Sequence, residues 1–325
     1  MVATNLQADN NIISRFGELM RRKRLAHAYL FVGPQGVGKF ETALGVAKLI
    51  NCERSSKLGG AAYCDRCGSC LRIGSGNHPD VTVISSGTEV SIKIDQVRQL
   101  INHMQLRPYE SMLKIFIIER IEDLTLQGSN ALLKTLEEPA ADSLLILTTN
   151  VLEKNLGTIR SRCHTVSFFP RPQRELMETL KGQGGVDRAG AHFLALFSEG
   201  YPGRARQWQA QGFLERKNDI IDRLVLKKGE AAFLKKLAAD KAQIRTALDV
   251  LLSWFRDLLV VKADAGDECL MHADRRPALR KMAQRYDALR LQAIVRQIVE
   301  TARMVEENLN VKIPLQLLME QIWLK

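Results

Sequence analysis

The stretch AYLFVGPQGVGKF, Ala28 to Phe40, constrains this chain more than any other. Five apolar, strand-forming residues run into a glycine-rich turn, which opens a helical segment ending near Asn51. In a P-loop of this form the glycines let backbone N–H groups surround phosphate oxygens. A lysine neutralises the outer phosphates, and a following Ser or Thr holds magnesium. Gly33, Gly36, Gly38 and Lys39 stand in those places, but Phe40 occupies the hydroxyl position. Thr42 does not replace it, because two residues along a helix turn a side chain by about 200°. A strand before and a helix after favour a P-loop fold over a bare glycine turn, while the residues leave binding of ATP or ADP open.

The rest of the first half fits a sheet that could carry such a loop. Apolar runs at Val81 to Ser85, Lys114 to Glu119, Leu144 to Thr148 and Thr165 to Phe169 alternate with helical patterns at Ile94 to Arg107 and Ser129 to Glu138. Strands alternating with helices predict a parallel α/β sheet. The segment FFPRPQ, Phe168 to Gln173, reads as a linker, and no strand is predicted beyond it. A helical stretch from Arg171 to about Trp208 is broken by GQGG at Gly182 to Gly185. Two long amphipathic faces follow: Ile244, Leu248, Leu251, Phe255 and Leu258, then Leu291, Ile294, Ile298, Ala302, Val305 and Leu309. A length of 325 residues exceeds a single core. Three domains are expected: an α/β domain over 1–169 with a cysteine module at about 52–78, a small helical domain over 170–212, and an all-α domain over 213–325.

Composition narrows the class. With 46% hydrophobic and 26% charged residues the chain is neither disordered nor collagen-like. Met1 to Asn11 lacks the basic and apolar regions of a leader, and no apolar run approaches the ~20 residues that span a bilayer. The expectation is a cytoplasmic protein with no membrane partner. The net charge of +11 suits a polyanion, yet the basic residues are scattered, so a solvated basic surface explains it as well.

Four further patterns carry chemistry. KIFIIERIEDL, Lys114 to Leu124, is an apolar strand ending where a Walker B motif places Asp then Glu. The first acid holds magnesium and the second polarises water. Glu119 fits the first role, but Arg120 stands in the second and a guanidinium is no base at neutral pH. Cys64, Cys67 and Cys70 form C-x-x-C-x-x-C, completed by Cys52. Four thiolates close a zinc tetrahedron, and no Cys-Pro continuation points to iron–sulfur. His78 is a spare ligand that Cys52 makes unnecessary. SRC, Ser161 to Cys163, follows the TTN strand end at Thr148 to Asn150 and the connecting stretch Val151 to Arg160. There Arg162 could reach a neighbouring subunit's phosphate or merely end a surface helix. Lys93 and Arg98 lie at the start of a helix, a location that favours phosphate, with a solvated helix end as the plain alternative.

Together HAYLFVGPQGVGK, the cysteine module, SNALLKTLEEP and TTN followed by SRC resemble the bacterial clamp-loader subunits, AAA+ proteins of DNA polymerase III. The resemblance covers roughly residues 10 to 210 by motif and the remainder by helical pattern. It implies an AAA+ P-loop domain with an inserted zinc module, a helical lid and a helical collar for oligomerisation. Phe40, Arg120 and a chain ending at Lys325 favour the delta-prime branch over gamma/tau, the working ATPase. The resemblance implies that Arg162 is an arginine finger acting on an adjacent gamma subunit's ATP, framed by Ser161 and Cys163. Thr149 and Asn150 match sensor 1, and Arg204 in SEGYPGRA matches sensor 2. Expected partners are gamma/tau, delta, the sliding clamp and, through the assembly, primed DNA. No carboxylate constellation for nucleotide addition is visible, so polymerase activity is not expected in this chain. The alternatives are an active gamma/tau-type ATPase and a zinc-containing nucleic-acid-binding regulator, for which neither a helix-turn-helix nor a stacking surface is clear.

Overall fold

Strands β1 (Ala28–Val32), β2 (Val81–Ile84), β3 (Lys114–Ile118), β4 (Ser143–Thr149) and β5 (His164–Ser167) form one parallel sheet in the order β2-β3-β4-β1-β5. They are seen in a computed structural model that describes residues 8–323 except 56, 58, 61, 88, 90, 152–156, 183–185, 227–232 and 234–239. Backbone contacts divide the chain into two units: Met1–Arg171 with Tyr201–Gly203, and Pro172–Gly200 with Arg204–Lys325.

In the first unit the central strands are buried on both faces, as a covered parallel sheet requires. Because side chains alternate along a strand, Tyr29, Phe31, Ile115, Ile117 and Ile146 face one layer with Phe16 of α1 (Asn10–Arg21) and Leu49 of α2 (Lys39–Asn51). Leu30, Val32, Phe116, Ile118 and Leu147 face the other. They meet Val97 and Leu100 of α4 (Ile94–Met104) and Leu132 of α5 (Leu126–Glu137). Among its described residues the cysteine module contributes the short helix α3 (Gly68–Gly74), and the four-residue helix α6 (Gly157–Arg160) precedes β5. Of the stretch expected to connect TTN to SRC, residues 152–156 lie outside the described residues.

Helix α4 stops at Met104, not at the expected Arg107. Pro108 disfavours helical backbone at the residue before it, and the next N–H groups find another acceptor. Asp80, buried at the start of β2, accepts from the backbone N–H of Tyr109, Glu110 and Ser111 at 2.7, 2.9 and 2.9 Å. Burial alone would raise this carboxyl's pKa, but the three donors outweigh it and hold the group below its ordinary value. A depressed carboxyl contributes stability above its unfolded pKa and loses it as pH falls through the folded value. Asp80→Asn is expected to destabilise the protein by about 1–3 kcal/mol near neutral pH. Urea unfolding checks this, and the difference from wild type should shrink on acidification.

The second unit is helical, and among the described residues it contains no strand. Helix Gln173–Gly182 reaches the start of the expected GQGG turn, and residues 183–185 lie outside the described residues. Helix Arg188–Phe197 brings Phe193 and Phe197 against Phe213, and Trp208 completes the aromatic cluster. Helix Lys241–Lys262 buries Ile244, Leu248, Leu251, Phe255 and Leu258, the face its periodicity predicts. Helix Ala288–Glu306 buries Leu291, Ile294, Ile298 and Val305. Leu309, expected to continue that face, lies beyond the helix and is 48% exposed. Asn308 adopts a left-handed conformation (φ 60°) and terminates the turn. No helix among the described residues is long and apolar enough to cross a membrane.

Candidate functional site

Three sequence-remote motifs meet because β3, β4 and β1 are neighbours: Glu119 leaves the end of β3, Asn150 the end of β4 and Gly33 the end of β1. Carboxyl ends of parallel strands are where such sheets bind ligands. The loop itself is tightly built. A Cβ on Gly33 would lie 2.5 Å from the Phe168 carbonyl oxygen, and Gly36 and Gly38 take φ values of 85° and 92°, which favour glycine. Gly203, grouped with this unit, donates its N–H to Gly36 O at 2.9 Å.

Lys39 opens α2 and is only 7% exposed. Its ammonium donates to Gly33 O at 2.7 Å, Pro34 O at 2.8 Å and Asn150 Oδ1 at 2.9 Å. An ammonium has three hydrogens, so all are committed to the protein itself. Burial lowers its pKa to about 8, with Glu122, Glu41 and Glu119 pulling the other way, so the group remains charged at neutral pH. To hold a phosphate, Lys39 must exchange acceptors it already has.

The acidic side departs from the expected Walker B pair. Burial, followed by the Glu41 carboxylate, raises the Glu119 pKa above its ordinary value. Arg120 sits at φ 58° and donates its N–H to Thr148 Oγ1 at 3.0 Å, while its guanidinium turns onto Asp123 at 3.1 Å. That turn carries Glu122 round to Asn150: Glu122 Oε1 accepts from the Asn150 N–H at 3.1 Å and from Nδ2 at 2.8 Å. Lys39, Asn150 and Glu122 therefore form one hydrogen-bonded chain. Sequence reading missed Glu122 because it lies past the strand, in a turn defined by Arg120's unusual backbone.

Phe40, in the first turn of α2, is partly buried and packs against the core. The Thr42 hydroxyl donates to Gly38 O at 2.7 Å and accepts from Asp9 N at 2.8 Å, so it is structural. Lys39, Phe40, Glu41, Glu119, Arg120 and Asn150 line a cleft of about 120 Å³. That is below the roughly 300–1,000 Å³ of ordinary small-molecule pockets. The residues keep the phosphate-facing backbone and lack the hydroxyl that would hold magnesium.

The other predicted cluster is brought together. The sulfurs of Cys52, Cys64, Cys67 and Cys70 all lie within 4.8 Å of one another, buried, with Cys52 and Cys67 sulfurs at 4.0 Å. Zn–S bonds of about 2.3 Å in a tetrahedron imply sulfur separations of about 3.8 Å, so the group fits a metal of that kind. Backbone N–H groups of Arg54, Cys67 and Cys70 point at Cys52, Cys64 and Cys67 sulfurs at 3.4, 3.3 and 3.5 Å. His78 is not among the four. Its ring contacts Ser69 Oγ at 3.1 Å and accepts from Asp80 N at 3.1 Å.

Arg162 is 34% exposed and pairs with Glu137. Lys93 pairs with Glu89 at 2.9 Å and Arg98 with Asp95 at 3.8 Å, so both candidate phosphate contacts have acidic neighbours. In the second unit Arg204 pairs with Glu199 at 3.3 Å.

The family described as DNA polymerase III, delta subunit, matches residues 8–172, and its C-terminal counterpart matches residues 211–324. DNA polymerase III subunit delta' of Bacillus subtilis is 31% identical over 301 residues, covering 90% of this chain and 89% of that protein. The chain belongs to the delta-prime family. The delta' subunit of Pseudomonas aeruginosa is 27% identical over 94% of both chains. The tau subunit of Bacillus subtilis is 35% identical, but over 45% of this chain and 25% of its own length. Within this delta-prime chain the structure brings together the P-loop residues and the four cysteines that the sequence pointed to, while the contacts of Glu122 with Asn150 and of Glu137 with Arg162 emerge only from the fold.

Proposed function

We propose that this chain is the non-hydrolysing delta-prime subunit of the DNA polymerase III clamp loader, supplying Arg162 to ATP bound by a neighbouring gamma/tau subunit. The observation that carries this reading is the contrast between two sites. The chain's own P-loop has Phe40 for its hydroxyl and a lysine tied to three internal acceptors, whereas Arg162 remains partly exposed after β4. Gly33, Gly36, Gly38, Lys39, Glu119 and Asn150 of the first unit then form a largely vestigial nucleotide site, with ATP or ADP as a ligand without turnover, and Arg204 of the second unit is the sensor 2 counterpart that the family resemblance implies. Zinc at Cys52, Cys64, Cys67 and Cys70 would be structural, since four protein ligands leave no open coordination position.

In this reading the sheet-bearing unit is an AAA+ domain, residues 170–212 act as a lid and residues 213–325 as a collar that joins gamma/tau and delta. The sliding clamp and primed DNA are partners of the assembly in the cytoplasm. Lys93 and Arg98 would contact the DNA backbone only after releasing Glu89 and Asp95.

The isolated chain should hydrolyse ATP only at background, because Phe40 cannot ligate magnesium and Arg120 cannot polarise water. Steady-state phosphate release measures this, and Lys39→Ala should leave the rate unchanged. Turnover abolished by Lys39→Ala would replace this reading with an active gamma/tau-type subunit.

A further inference from the structure

We infer that Glu137 is a positioning residue that restrains Arg162, occupying the guanidinium edge through which it would engage a neighbour's phosphate. The inference rests on the proposal that Arg162 acts in trans. Two edges of this guanidinium have different partners. Nη1 donates to Thr158 O at 2.9 Å and Ser161 Oγ at 3.2 Å, both within the local turn that presents the residue. Nε and Nη2 donate to a single oxygen, Glu137 Oε1, at 3.0 and 2.5 Å. A guanidinium edge that takes a carboxylate oxygen in this way is equally suited to a phosphate oxygen. Thr158 and Ser161 thus hold the arginine in place, while Glu137 fills the position that a phosphate oxygen would take.

Helix stability does not explain Glu137. It is the last residue of α5, where the helix dipole favours cations over carboxylates. Its 51% exposure lets the displaced carboxylate return to water, so the exchange is reversible. An acid left beside an incoming phosphate would also repel it. The restraint is modest, since exposed ion pairs of this sort shift equilibria by up to roughly five-fold.

Glu137→Gln keeps the shape and removes the charge. In a loader reconstituted with gamma/tau and delta, this variant should raise ATPase without clamp or DNA by roughly two- to five-fold. The rate with clamp and primed DNA should stay unchanged, as should thermal unfolding of the chain. Glu137→Asp, with a shorter reach, should give a smaller rise. Arg162→Ala combined with Glu137→Gln should show no rise. An unchanged or lowered basal rate for Glu137→Gln, where Arg162→Ala itself lowers the rate, would overturn the restraint and leave the finger standing. If Arg162→Ala has no effect in the same assay, the finger itself is lost, and the inference with it.

Discussion

Replacing Cys64 with Ser, or stripping the proposed zinc with a strong chelator, is expected to destabilise the first unit by several kcal/mol. The four thiols are buried in the same core as Leu49, Ile50 and Ile73, so the cluster is part of the packing of one sheet face. The module between Cys52 and Cys70 contains only the short helix α3 among its described residues, too little to fold around a core of its own. Cys52 caps the end of α2, the helix that begins at Lys39. Losing the metal would therefore free the far end of the helix that opens at the P-loop. The protein should carry about one zinc per chain on gentle purification, and metal loss should lower its melting temperature sharply. Iron in the purified protein, or no metal together with unchanged melting, would refute the zinc assignment.

The parts legible from sequence were those that local pattern determines. Strand β1 and its glycine turn were visible because an apolar run feeding Gly33, Gly36 and Gly38 has few other folds. The faces of helices Lys241–Lys262 and Ala288–Glu306 followed from their period, until Asn308 ended the second before Leu309. The C-x-x-C-x-x-C spacing pointed to Cys64, Cys67 and Cys70, and Cys52 joins them from its place at the end of α2. Glu122 and Glu137 were not, for two physical reasons. Glu122 reaches Asn150 only through the left-handed turn at Arg120. Glu137 meets Arg162 across 25 residues, and its sequence neighbourhood gives no sign of that pairing.

Arg162→Ala should lower the clamp- and DNA-stimulated ATPase of a reconstituted loader while leaving this chain's folding, metal content and assembly intact. The side chain is held by a half-exposed glutamate and local turn acceptors, so its removal disturbs no core. A trans arginine stabilises charge on the transferring phosphoryl group and is worth on the order of 10³-fold at the site it serves. That one site would fall nearly silent. The measured rate should nevertheless fall only in part, because sites served by other subunits keep their own arginines. Lysine should restore little, since a point charge cannot span two phosphate oxygens as the planar fork does. Steady-state ATPase and clamp loading in otherwise identical complexes make the comparison. A chain whose P-loop had merely decayed would show no loss at all. Equal rates for wild type and Arg162→Ala would therefore reduce the subunit to a scaffold.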